Sequence, residues 1–229
     1  YTFALPHMAR IPSYAAYWRE RPNVFLDNGF HELGEPMEIA ELSRMAGRIQ
    51  ASLVAAPDRI DDWAWTIEKY VEYIRFTTER NYRIAGTITG PTVENMVACY
   101  EKYLGMSERN RPAVLCLPYK LERHEFLYEI GADPQLREDA RLFHWHLFGY
   151  HDYYELVRSA AGICGLGVTA VNVDTAKPMT YAHSKLPWSK ETRSGEATRP
   201  VLHTRLEYEA VQATIYNILE LKDWLENTN

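Results

Sequence analysis

Three aspartates close three separate apolar runs: Asp27 after residues 24–26, Asp58 after residues 53–56 and Pro57, and Asp174 after residues 168–173. One aspartate in such a place ordinarily caps a helix or shapes a turn. Three at equivalent places suggest a shared task. Two carboxylates facing one cavity suit glycosidic-bond chemistry. One attacks or stabilises the electron-deficient anomeric carbon, and the other moves protons. A nucleobase leaves poorly as an anion, so protonation of its ring helps it depart. A third carboxylate can accept from the amino and ring N–H groups along a base edge.

Other polar residues stand at comparable run ends, namely Thr89 with Gly90, Tyr119, and His146 with Gly149 and Tyr150. His144 and His146 alternate on one run and so share a face. They could hold a metal, but no third ligand follows by spacing, and buried hydrogen-bonding histidines are the plainer reading. The expectation is no metal and no cofactor. His7 follows Pro6 at the first run end and could also line a cavity. His151 and Asp152 read as helix-start residues.

The elements that must carry these residues alternate. Short β-rich runs at 2–5, 24–26, 53–56, 83–88, 113–117, 143–148 and 168–173 interleave with amphipathic stretches at 13–21, 36–50, 61–80, 91–104, 123–130 with 134–140, and 153–163. In the second of these stretches Ile39, Leu42, Met45, Ala46 and Ile49 fall on one helical face. In the third, Trp65, Tyr70, Tyr73 and Ile74 recur at roughly helical spacing. A last helix is expected within 206–226, and 201–203 is the remaining candidate for an eighth strand. Alternation of this kind implies a parallel sheet. The count fits a (β/α)8 TIM-type barrel with one degenerate or missing unit better than an open doubly wound sheet. In such a barrel the carboxyl ends of the strands form the active face. No Gly-rich dinucleotide or P-loop fingerprint follows the first run.

The 229 residues suit a single domain spanning 1–229, with 46% hydrophobic and 24% charged residues supporting a packed core. No apolar run reaches the length of a membrane span. No signal-peptide pattern opens the chain, and a start at Tyr1 points to a trimmed chain. Cys99, Cys116 and Cys164 are odd in number and far apart, which argues against disulfides or a zinc cluster and for a cytoplasmic setting. The net charge of −6 speaks against a generic nucleic-acid coat, though a local basic patch is compatible with it. Residues 187–200 are loop-like and poor in apolar groups. Lys177, Lys185, Lys190, Arg193 and Arg199 make this region locally basic, fit to meet a phosphate backbone at the barrel mouth. The chain also holds 16 tyrosines and 6 tryptophans, for stacking on bases or for filling a core. Exposed members of that set would suit a homodimer.

The run ends together resemble the tRNA-guanine transglycosylase superfamily, including its DNA-modifying relatives. Phe25-Leu26-Asp27-Asn28-Gly29-Phe30-His31-Glu32 resembles the family's Asp-Ser-Gly-Gly-Phe-Gln segment, with Asn28 and Phe30 departing from it. The resemblance makes Asp27 the general acid/base. Val54-Ala55-Ala56-Pro57-Asp58 resembles the run whose terminal aspartate recognises the base. Ile84 to Gly90 resembles the run ending Val-Gln-Gly, with Thr89 in place of the base-reading glutamine. His146-Leu147-Phe148-Gly149-Tyr150 resembles the Leu-Met-Gly-Val segment that lines the base pocket. Gly167 to Thr175 resembles the run bearing the nucleophile, which would be Asp174. The resemblance covers residues 24–178.

The chain has no Cys-x-Cys-x-x-Cys pattern and so lacks the zinc subdomain with which the tRNA enzymes grip RNA. That, with Thr89, turns the expected substrate towards DNA carrying a modified base. The expected activity is that of a DNA glycosylase serving antiphage defence. The alternatives are a base-exchanging transglycosylase inserting a 7-deazaguanine-type base into DNA or tRNA, a non-catalytic barrel that binds nucleic acid or nucleotide, and a metal-dependent hydrolase.

Overall fold

The computed structural model describes residues 2–77, 81–119, 122–149, 153–169 and 171–174. Seven strands run in chain order: β1 (Thr2–Ala4), β2 (Val24–Leu26), β3 (Leu53–Ala55), β4 (Arg83–Thr87), β5 (Val114–Pro118), β6 (His144–Phe148) and β7 (Val171–Asp174). Each pairs in parallel with the next, so sheet order equals sequence order. Between them lie α1 (Pro12–Arg19), α2 (Phe30–Leu33), α3 (Ile39–Ile49), α4 (Trp63–Phe76), α5 (Val93–Leu104), α6 (Arg123–Ala132), α7 (Pro134–Asp139) and α8 (Tyr153–Gly165).

Parallel neighbours in strict order require every crossover to turn the same way, which stacks the helices on one face of the sheet. The buried apolar residues divide accordingly. Val24, Leu26, Val54, Ile84, Leu115, Leu117, Trp145 and Leu147 belong to the helix-facing core. Phe25, Leu53, Ala55, Ala85, Val114 and Cys116 form a separate cluster on the opposite face, with Phe3 and Phe148 packed against it. These are alternate residues of the same strands, as the pleat demands.

The sheet is curled. Strands β1 and β6 are five steps apart, about 24 Å if the sheet were flat. Yet the Phe3 ring of β1 lies 5.9 Å from the His146 ring and 5.7 Å from the Phe148 ring of β6. The second cluster is therefore the inside of a trough, and the architecture is a seven-stranded half-barrel. It is not a closed (β/α)8 barrel: among the described residues β1 and β7 each have one strand neighbour. The expected eighth strand at 201–203, the last helix at 206–226 and the loop at 187–200 lie outside the described residues.

Local chemistry sets the helix starts. Asp62, Thr92 and Asp133 cap α4, α5 and α7 by accepting backbone N–H groups through their side chains. The expected helix at 36–50 begins only at Ile39, with Glu38 extended at its N-cap, and just ahead of it the Met37 N–H donates to the Asn28 carbonyl at 2.8 Å. The five residues expected to share its face are its buried ones. The short α2 was not expected; it is framed by Gly29 and Gly34, both in the left-handed region at φ 81° and 79°. The expected stretch at 61–80 is helical over Trp63–Phe76, with Tyr70 and Tyr73 buried and Trp65 left at the surface beneath the Arg59 guanidinium, 4.2 Å from its ring centre. No helix among the described residues is long and apolar enough to cross a membrane.

Candidate active site

Parallel strands put all their carboxyl ends at one edge, so Asp27, Asp58, Thr89, Gly90, Tyr119, Gly149 and Asp174 emerge together there. Asp27 directly follows β2. Its N–H donates to the Ala4 carbonyl at 3.0 Å, which extends the β1–β2 ladder by one rung and fixes its backbone. Its side chain is half-buried. Gly29 then turns left-handed at φ 81°, and a Cβ there would lie 3.0 Å from the Pro6 ring.

Asp58 follows β3 and is 6% exposed. The Asn28 amide meets it from the end of β2: Nδ2 donates to an Asp58 oxygen, Oδ1, and to the Ala56 carbonyl at 2.9 Å. The Asn28 Oδ1 accepts the Phe30 N–H at 2.9 Å. Burial pushes the Asp58 carboxyl up to about 6, and the Asn28 hydrogen bond partly opposes that rise. The displaced carboxyl stands at the active edge. Such coincidences mark functional sites.

Behind Asp58 the loops are knitted together. The Thr89 hydroxyl donates to Thr66 Oγ1 at 3.2 Å, and that oxygen accepts the Arg59 N–H at 3.0 Å. The Gly90 N–H donates to the Ile60 carbonyl at 2.9 Å. Thr89 and Gly90, expected to meet a base, thus brace the segment that presents Asp58. Gly90 has φ 150°, and a Cβ there would come within 2.6 Å of the Asn95 Cβ. Burial also lifts the Cys99 thiol of α5 to about 12 and the Tyr103 hydroxyl well above its ordinary value, so both are neutral near Asp58.

His146 is 3% exposed and lies inside the trough rather than at its rim. It is stacked on Phe3 and met edge-on by Phe25 and Phe148 at 5.0 and 4.8 Å. His144, on the same strand face, is exposed at the far end of β6. Among the described residues no three His, Cys, Asp or Glu side chains are gathered as metal ligands would be. Tyr119 is 37% exposed at the rim, and its ring centre lies 5.6 Å from the guanidinium of Arg123.

Arg123 was not anticipated. It is fully buried at the start of α6 and donates to the carbonyls of Phe148 and Gly149 at 3.3 and 3.1 Å. Glu155 of α8 stands 3.5 Å from it. It therefore holds the turn after β6, where Gly149 has φ 59°. The signal in the sequence was a cation in a first helical turn, where the helix dipole disfavours one. Asn28 was noted only as a departure from a motif, and its bond to Asp58 needed the fold.

The backbone of Asp174 ends β7 in register with Phe148; its side chain lies outside the described residues. So do Tyr150, His151, Asp152, Lys177, Lys185, Lys190, Arg193 and Arg199. No protein-family model matches the chain, and no curated protein matches it either.

Proposed function

We propose that this protein cleaves the N-glycosidic bond of a modified nucleobase in DNA, working as a DNA glycosylase on a TIM-type (β/α) barrel frame. The observation that carries the reading is a buried carboxyl, Asp58, held by an amide at the strand edge where Asp27 and Asp174 also end. A nucleobase edge is what a desolvated, pre-oriented carboxylate is suited to meet, because its N–H donors replace lost water.

The target nucleotide leaves the stack and enters the trough mouth. Asp174 attacks C1′ of the sugar as the bond to the base breaks, and Asp27 delivers a proton to the departing ring. Asp27, now a carboxylate, takes a proton from water. The resulting hydroxide displaces Asp174 from C1′, which leaves an abasic site. If a free base enters in place of water, the product is exchanged DNA.

Incubation of the protein with phage DNA rich in modified bases, and with unmodified DNA, tests this. Abasic sites are expected without any added base. Incorporation of an added 7-deazaguanine-type base without abasic sites would replace excision with exchange. Tight DNA binding with neither product would reduce the protein to a binding module. Full activity in both Asp27→Asn and Asp174→Asn would overturn the assignment.

A further inference from the structure

The strongest unassigned feature at the active edge is the Asn28 side chain, 2% exposed between the ends of β2 and β3. Every hydrogen-bonding group of its amide has a partner. Nδ2 donates twice, to the Ala56 carbonyl and to Asp58 Oδ1, and Oδ1 accepts the Phe30 N–H. The direction of the amide is thereby determined, since a flip would set Nδ2 against an N–H and Oδ1 against a carbonyl and a carboxylate. Its own backbone carbonyl holds Met37 at 2.8 Å, which ties the residue to the entry of α3. An amide locked by three hydrogen bonds, on a residue whose backbone is also tied, does not adjust to its neighbour, so the neighbour adjusts to it.

We propose that Asn28 is the positioning residue of Asp58: it captures Oδ1 of the buried carboxylate and leaves Oδ2 as the oxygen presented to a substrate N–H. The role assigned to that oxygen rests on the base-recognition reading above. The capture of Oδ1 by Asn28 stands by itself. No other hydrogen bond to the Asp58 carboxylate is made by the described residues. The titratable groups that face it are Cys99 and Tyr103 of α5, both neutral at ordinary pH, and neither can take over from the amide.

The consequence is a shared titration. The Asn28 donor favours the ionised form of Asp58 against its burial. In the wild-type protein, carboxyl-carbon NMR is expected to follow Asp58, assigned by its loss in Asp58→Asn, through a midpoint near 6. The Asn28 side-chain amide resonance should shift with the same midpoint. An amide resonance that stays still while Asp58 titrates would overturn the proposal, and the titration itself is read on the wild-type protein. In the near-isosteric Asn28→Leu, which lacks the donor and adds no charge, the Asp58 midpoint should rise and the pH profile of excision should move alkaline by the same amount. A residue that only supports the fold would instead lower the melting temperature and the rate alike at every pH. An unmoved Asp58 midpoint in a folded Asn28→Leu would also refute the role. The NMR result stands whether or not DNA is cleaved, so failure of the excision reading would be seen separately.

Discussion

Asp58 has its charge in a place that burial makes costly. Its carboxyl rises from 3.8 to about 6 on folding. A carboxyl raised by folding contributes stability that is fully present below the unfolded value and is lost as pH climbs through the folded one. The shift corresponds to about 3 kcal/mol at neutral pH. Asp58→Asn should therefore melt at a higher temperature than the wild type at pH 7.5, with the gap closing towards pH 4, while excision is lost. Scanning calorimetry across that range checks the sign. A gap that is constant with pH would mean that folding does not shift the Asp58 carboxyl.

The positions of these residues were legible before the fold was, and their partners were not. An apolar run followed by aspartate announces a strand end. Nothing in the spacing of Asn28 and Asp58, thirty residues apart, says that an amide reaches a carboxylate across two adjacent strands. Thr89 is expected to face a base because it stands where another residue would. That its hydroxyl donates to Thr66 is a contact set by where α4 docks, and spacing does not show it.

At the scale of elements, the strands and helices were visible because alternation of β-rich runs with amphipathic runs survives any detail of packing. Which face of each strand met which layer was hidden. All five residues of Val114–Pro118 are buried, so no polar alternation marks inside from outside. Helices start later than the amphipathic runs where a capping residue stands inside the run, as Asp62 and Thr92 do ahead of α4 and α5.

Two sites test how the elements are joined. Gly86 of β4 lies under the Tyr103 ring, where a Cβ would come within 2.7 Å. Tyr103 is fully buried and donates to the Thr87 carbonyl at 3.3 Å. Gly86→Ala should cost about 1–3 kcal/mol by overpacking, read as a lower denaturant midpoint. Arg123 joins α6, the end of β6 and α8. Arg123→Met removes the donors to two carbonyls and leaves Glu155 without its cation, so a loss of about 3–5 kcal/mol is expected in urea unfolding. A loss below 1 kcal/mol would show that the clamp is dispensable.

For the whole molecule, the aromatic bridge from Phe3 to His146 and Phe148 shapes the trough more than any single pairing does. It draws the first strand over the sixth. Phe3→Ala is expected to cost about 3–5 kcal/mol, since it empties a large ring from between packed neighbours. The denaturant slope should hold, because the same surface is still exposed on unfolding. A fall of less than 1 kcal/mol would mean that the curl is maintained by the strand ladder alone.

The same bridge sets a timetable. Each strand of the sheet finds its neighbour in the next unit to be made, so pairing can follow synthesis from the ribosome outward. The aromatic rings inside the trough are exceptions, and among them Phe3 waits longest, because it sits on the first strand. Its ring partners from β6 do not exist until the chain has grown past Phe148, and until then one side of the first strand's aromatic surface stays open to water. A nascent chain stalled before that point would carry a bare hydrophobic lip along its first strand, a surface for a chaperone to hold.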